Sequence, residues 1–331
     1  MKDIVSRFWL VGAIALTVLV AVLLPGAAAA FVDWKLIDAG VMAVMFLGAL
    51  KLEPRRFREA AGRLHLLALS LVSVFALAPL AALALAWLVG LDSGADRLGV
   101  LICAAQSSTL ATAIVLTELA GGDAALAIVI TLVNNTATVL LTPLAFRLLG
   151  GADVEVDHLA MGAELAAKIL APVIAAQVAR RWLAGWAGRH RRRLSIASQL
   201  IILTYIYTGV ASSLDRLSSA GALLLRVVAL VAALHLALLL INAALARLAA
   251  SGPGERTAFV LCSSQKTLPA AILVWKSHFA ALPIGPLVAV AYHLLQLVVD
   301  SLLAPGFEKL PLIRDRRRRR GAGPAGRRSP A

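Results

Sequence analysis

Apolar residues run in blocks of about 20 along most of the chain, separated by short stretches rich in Arg, Asp, Gly and Pro. At a rise of 1.5 Å per residue, a block of about 20 crosses a hydrocarbon layer of about 30 Å. Lipid offers no partner to backbone amides, so each block predicts a helix. The pattern places helices at 9–30, 36–51, 64–90, 98–118, 123–149, 159–181, 196–214, 220–248, 257–276 and 283–304. The period-2 alternation of a membrane barrel does not fit these continuous runs. The expected fold is an all-α integral membrane protein of ten transmembrane helices, with residues 1–312 as one membrane domain. Residues 313–331 are rich in Arg, Gly and Pro, and predict a disordered basic tail beside anionic lipid headgroups.

Composition sharpens this picture. Hydrophobic residues make up 60% of the 331, and the mean hydropathy is +0.87. That is well above the roughly 45–50% apolar content of soluble domains. The net charge of +14 would suggest nucleic acid in a soluble protein. Here the basic residues fall between apolar blocks, which reads as topology by the positive-inside rule, and no nucleic-acid partner is expected. Lys51, Arg55, Arg56, Arg58 and Arg63, the group from Arg180 to Arg193, and the run Arg316 to Arg320 share one side if the helices alternate. Asp92, Asp96, Asp153, Glu155 and Asp157 share the other. The basic side is expected to be cytoplasmic, with both termini on it and the chain in a bacterial inner membrane. Lys2 and Arg7 before an apolar run ending at Pro25 also resemble a signal peptide, but the run from Phe8 to Leu24 is long for one. Retaining it as the first helix satisfies the charge pattern. Cys103 and Cys262 both sit in apolar segments and indicate no disulfide framework.

Two segments resemble each other. Cys103-Ala-Ala-Gln106-Ser-Ser-Thr-Leu-Ala-Thr-Ala-Ile-Val aligns with Cys262-Ser-Ser-Gln265-Lys-Thr-Leu-Pro-Ala-Ala-Ile-Leu-Val after a slip of one residue. The copies lie in the fourth and ninth predicted helices, so each half, 5–150 and 158–308, holds five helices and the second is inverted. Inverted repeats with interrupted helices near the midplane build the substrate and ion sites of secondary transporters. Gln106, Ser107, Ser108 and Thr109, and Gln265, Lys266 and Thr267 followed by Pro269, disfavour an unbroken helix and supply donors and acceptors. Hydroxyls that merely cement helix packing are the alternative use.

Lys266 is the sharpest single feature, because a membrane lysine costs at least about 2.5–3.5 kcal/mol unless paired or hydrated. Snorkelling to a helix end, or a permanent structural pair, is its other reading. In the tenth helix His293, Gln296 and Asp300 follow i, i+3, i+7 spacing and share a face that should look inward. His293 is read either as a titratable group or as a hydrogen-bonded packing residue, and Asp300 either as part of this stripe or as a charge at the membrane boundary. Thr131, Asn134, Asn135 and Thr138 line one stretch of the fifth helix, with oxygens suited to sodium or polar substrate groups, or equally to hydrogen bonds between helices. Lys168, Pro172, His235 and Asn242 are weaker candidates.

The paired openings, Leu141-Thr142-Pro143 and Tyr292-His293-Leu-Leu-Gln296-Leu together resemble the bile acid:sodium symporter superfamily, closest to its SBF-like bacterial branch. The resemblance covers about residues 5–308. It implies a core domain around crossed, discontinuous fourth and ninth helices, a panel domain, alternating access for an organic anion, and sodium as the usual coupling ion. Gln265 matches the family's glutamine, whereas Leu261 and Lys266 stand where sodium-using members have glutamate and asparagine, and Ala113 and Ile114 replace a Ser-Asn pair. If sodium binds, it is expected near Gln265 and Asn135; otherwise the Lys266 ammonium takes the cation's place or pairs with the anion, and coupling is proton-linked or absent. No other cofactor is expected. A cation/proton antiporter is the second reading, set back by the lack of a carboxylate in either opening. An intramembrane enzyme or sensor is the third, and neither a hydrolase nor a metalloprotease motif is present in the sequence.

Overall fold

The computed structural model describes residues 2–27, 34–53, 61–110, 112–151, 156–211, 214, 221–282, 284–310 and 313. Every regular element among them is helical. The expected disordered tail lies outside them, apart from Ile313. In chain order come α1 (Lys2–Leu23), α2 (Trp34–Leu50), α3 (Leu64–Leu88), α4 (Gly94–Ala104), α5 (Thr112–Leu119) and α6 (Ala124–Leu149). Then follow α7 (His158–Arg189), α8 (Arg191–Ala211), α9 (Gly221–Ala249), α10 (Pro253–Ser264), α11 (Leu268–His278) and α12 (Ile284–Leu303). With α10 and α11 taken together, seven stretches among the described residues are long and apolar enough to cross a membrane, and Gly12–Leu23 and Leu36–Leu50 are shorter apolar helices. Leu80, Trp87, Leu140, Leu148, Leu225 and Leu236 stand exposed on the outside of the bundle. So large an exposed apolar surface requires lipid: this is a multi-pass membrane protein.

Polar residues set the helix starts. Ser93 caps α4, its Oγ accepting from the Asp96 amide at 3.1 Å, so the helix begins before the expected residue 98. Asp123 and Asp157 cap α6 and α7 through amides at 2.9–3.0 Å, placing acid at the positive helix ends. The expected sixth and seventh helices were too short. Arg180, Arg181 and Arg189 belong to α7, and Arg191, Arg192 and Arg193 open α8, with His190 alone between them. Long arginine stems let a helix run past the apolar zone with its charges in water.

Two helices carry a widened π turn, at Ser73–Leu77 and Ala166–Leu170. Pro79 and Pro172 follow them. A proline lacks an amide and crowds the carbonyl four residues earlier, which a widened turn relieves.

Packing divides the bundle. Helices α1, α2, α7 and α8 lie against one another, and α3 to α6 and α9 to α12 form a second group, against which the first part of α7 also packs along α6. The 18-residue window along α10 and α11 is wholly buried, so this pair forms the axis of the second group. At one end an ion cluster ties the groups together. Asp38 of α2 accepts from Lys168 of α7 at 2.8 Å and from Lys276 of α11 at 2.5 Å. Glu164 of α7 accepts from Lys168 at 2.5 Å and Ser277 at 2.6 Å, and contacts His278 at 3.0 Å. Lys168, in the π turn of α7, is therefore an ion-pair residue. Asp38→Asn would leave two ammonium groups facing a neutral amide. The cluster is partly exposed, so the expected loss is about 1 kcal/mol, the upper range for open ion pairs. Thermal unfolding in detergent should show a lower Tm at low salt, with the gap narrowing at high salt.

Candidate functional site: two broken helices in contact

The polar cluster of the first half interrupts the chain between α4 and α5, and that of the second half separates α10 from α11. Gln265 and Thr267 are extended, with ψ of 152° and 120°, which suits the approach to Pro269 at the second position of α11. The breaks touch: the Thr267 amide donates to Ser107 O at 2.9 Å, and the Thr109 hydroxyl donates to Gln265 Oε1. Thr112 lies 3.5 Å from the same oxygen.

Broken helices leave backbone groups without local partners, and each must be satisfied in lipid. The side chains named from the sequence do much of this. Gln296 of α12 pairs with both backbone groups of Lys266, accepting from N at 2.8 Å and donating to O at 2.9 Å. Asn135 of α6 donates to Ser108 O at 2.9 Å and Thr131 O at 2.7 Å, while its Oδ1 accepts from the Ser107 hydroxyl at 3.0 Å. Asn134 donates to Ser70 Oγ at 3.0 Å and lies 3.5 Å from Ser108 Oγ. The Thr131 hydroxyl turns back to its own helix, on Ala127 O and Ile128 O, which is a packing role. Thr138, Gln106 and His293 are buried too. Thr138 Oγ1, Gln106 Oε1 and His293 Nε2 have no protein partner, although Gln106 Nε2 donates to Ile102 O and His293 Nδ1 accepts from Gln296.

Lys266 is 2% exposed. Its ammonium donates to Val74 O at 2.8 Å and Gln106 O at 3.0 Å. Val74 sits in the π turn of α3, and Gln106 follows the carbonyl end of α4, so the positive charge lies where two helices present unspent oxygens. The snorkelling reading is thereby replaced by a wholly internal lysine. Asp300 is not a boundary charge either. It is fully buried, accepting from Gln265 Nε2 at 2.7 Å, so α12 brings a carboxylate to the ninth-helix break that the break itself lacks.

The residues present do not fit a sodium ion at the expected place. Leu261, Ala113 and Ile114 present buried hydrocarbon, and the oxygens of Gln265 and Asn135 accept hydroxyls of Thr109 and Ser107.

A second feature escaped the sequence reading. Between the two helix groups, at the end away from the ion cluster, lies a cavity of about 390 Å³ lined by Lys51, Arg191, Arg192 and Ser195 together with Leu52, Leu110, Ile114 and Val115. Arg191 pairs with Glu118 at 3.5 Å. Burial and the Arg191 guanidinium pull the Lys51 ammonium down to about 8 from an ordinary 10.5. Along the chain these cations carried only a topological meaning. Ser70 and Ser73 were missed as well: Ser70 Oγ meets Ser263 Oγ at 2.9 Å, and Ser73 donates to Asn242 Oδ1 at 2.6 Å. Their one signal was a pair of hydroxyls three residues apart in an apolar run.

A family model described as the SBF-like CPA transporter family matches residues 8–309. The chain belongs to this family. The resemblance noted from the paired openings pointed to the same group, and membrane transport is what it implies. This SBF-like chain is 33% identical over 316 residues to an uncharacterized protein of Pseudomonas aeruginosa, covering 90% of this chain and 92% of that one. It is 30% identical over 224 residues to a probable chloroplastic sodium/metabolite cotransporter of Oryza sativa, covering 62% and 53%. To sodium/bile acid cotransporter 7 of Rattus norvegicus it is 24% identical over 208 residues, covering 59% and 60%. The chain thus spans between half and about six-tenths of the length of these two named cotransporters.

Proposed function

We propose that this SBF-like protein is a secondary transporter that moves a small organic anion by alternating access, with ten transmembrane helices in two inverted halves and both termini cytoplasmic. The observation that carries the anion is the cavity, which Lys51, Arg191 and Arg192 line, with Glu118 3.5 Å from Arg191. Its apolar lining suits a hydrocarbon body joined to an anionic head. The two breaks in contact support the repeat. The division of the bundle, tied by an ion cluster at one end and open at a basic cavity at the other, supports a core moving against a panel. These places lie about 20 Å apart along α2, from Asp38 to Lys51 at 1.5 Å per residue. The ammonium of Lys266, held by carbonyls, stands in for a bound cation, and coupling is proton-linked. An enzymatic role gains no support, since Ser107 meets an amide oxygen and not a base.

Thermal-shift binding of a panel of carboxylates, sulfonates and steroid-like anions tests this reading, followed by uptake of any hit into proteoliposomes. Lys51 gives a signature. An anion at its ammonium binds only while that group is charged, so affinity should be full well below pH 8 and fall as pH rises through it. Lys51→Arg should keep its affinity to pH 9, and Lys51→Gln should bind about tenfold more weakly than the parent well below pH 8, a loss of about 1.4 kcal/mol, with the gap closing above it. If no anion stabilises the protein and none is taken up, the reading fails.

Cation/proton antiport is the second reading, favoured by the contact of Asp300 with Gln265 at the break. Dissipation of a preset pH gradient by sodium or potassium, with no organic anion present, would select it.

A further inference from the structure

Among the described residues Asp300 is the one buried carboxylate. Its Oδ1 lies 2.9 Å from Nε2 of His235 on α9, itself 1% exposed. The other ring nitrogen, Nδ1, lies 3.2 Å from the hydroxyl of Tyr292, and that hydroxyl donates to Ser264 O at 2.7 Å.

Counting donors fixes the proton content of this chain. A phenol has one proton, and that of Tyr292 is spent on a carbonyl. The contact between Tyr292 and His235 is therefore a hydrogen bond only if Nδ1 carries a proton. Nε2 then has two states compatible with 2.9 Å to Asp300: it is protonated against a carboxylate, or it is bare and accepts from a carboxylic acid. Both hold one proton more than carboxylate plus neutral imidazole. Without that proton, two lone pairs would face each other in a buried site, and the contact would have to open.

Other titratable groups stand near the pair, among them His293 on the same helix as Asp300, whose Nδ1 meets Gln296. Cys262 on α10 and Tyr292 on α12 lie within the field of Asp300. Cys103 on α4 lies within that of Lys266, whose ammonium is turned to Val74 O and Gln106 O. Lys276 and His278 of α11 belong to the distant ion cluster, and Glu118 of α5 pairs with Arg191. The proton also reaches the breaks. Asp300 Oδ2 holds Gln265 Nε2, and Gln265 Oε1 holds the Thr109 hydroxyl, so a change of charge on Asp300 acts on the residue between α10 and α11 and through it on the break after α4.

We propose that His235 and Asp300 form a proton-binding site, and that the proton held between them is the coupling ion. This rests on the transporter reading above. The proton comes from water on one side of the membrane and returns to water on the other, and only N–H or O–H bonds form and break.

Two measurements on the full chain in nanodiscs test it without substrate. pH-difference infrared spectroscopy reads the protonation of the pair. The maleimide labelling rate of Ser195→Cys in the basic cavity, normalised to a free thiol, reads the conformation; the natural Cys103 and Cys262 are buried. The unmodified pair should give a titrating band and a normalised labelling rate that changes at least threefold between pH 5 and 9. Asp300→Asn, which keeps the shape of the protonated acid, should abolish the band and fix the rate at its low-pH value. His235→Gln should flatten the profile as well, and decides the matter alone if Asp300→Asn does not fold. If either folded variant keeps the parent band and profile, the site is overturned. A titrating band with a labelling rate indifferent to pH would overturn its coupling role. Neither readout involves an organic anion, so failure of anion uptake would strike the proposed substrate and leave these outcomes standing.

Discussion

Lys266→Met should lower the stability of the folded protein by about 2–6 kcal/mol, since two buried carbonyls lose their donor at roughly 1–3 kcal/mol each. The acceptors are Val74 O in the π turn of α3 and Gln106 O after α4. Neither has a helical amide to fall back on, because the turn is widened at the first and the chain leaves the helix at the second. Methionine fills nearly the same volume, so the loss would report the ammonium and not a cavity. The measurement is thermal unfolding in detergent across a sodium series with constant ionic strength. If the ammonium stands in for a cation, the variant should regain part of its Tm in sodium or another small cation, while the parent is indifferent. A variant as stable as the parent would refute the account of Lys266.

The second large effect is expected at the seam between α4 and α12. A Cβ on Gly99 would lie 2.2 Å from Ile284 Cγ2 and 3.3 Å from the Gly285 amide nitrogen, and one on Gly285 would lie 2.6 Å from Ile102 Cδ1 and 3.0 Å from Trp275 Cδ1. These glycines bring the two backbones together, as small residues do where membrane helices cross closely. A side chain there must push apart the helices that carry the fourth-helix break and the Gln296 and Asp300 contacts. Gly99→Val should cost 3 kcal/mol or more, roughly the upper range for overpacking, and should abolish a monodisperse peak in fluorescence size-exclusion. Gly188→Ala, with no atom within 4 Å of its Cβ, should behave as the parent. A normal peak and unchanged Tm for Gly99→Val would mean that the seam is looser than described.

Much of the site was legible as residue types and positions. The polar openings marked both breaks, the spacing of His293, Gln296 and Asp300 placed them on one buried face, and Lys266 stood out by its cost in lipid. The partners were not legible. Asp300 was weighed as a boundary charge because its depth depends on where α12 ends against its neighbours. The carboxylate at the ninth-helix break was missed because it arrives from the next helix. Lys51 and Arg191 were read as topology because 140 positions of chain separate them, and only packing of α2 against α8 puts them on one cavity.

The sequence by itself determined that the chain is a bundle of membrane helices and roughly where each runs. Backbone hydrogen bonds within a helix are local, and the length of an apolar block against the thickness of a bilayer leaves few other solutions. It also determined where two of those helices break, because proline and clustered hydroxyls act on their own backbone. Tertiary structure decided what fills the breaks. The oxygen that receives Lys266 is freed by a π turn near Pro79 in another helix, and the histidine facing Asp300 is 65 residues away. Such partners are fixed by the three-dimensional packing of side chains, which no local pattern encodes.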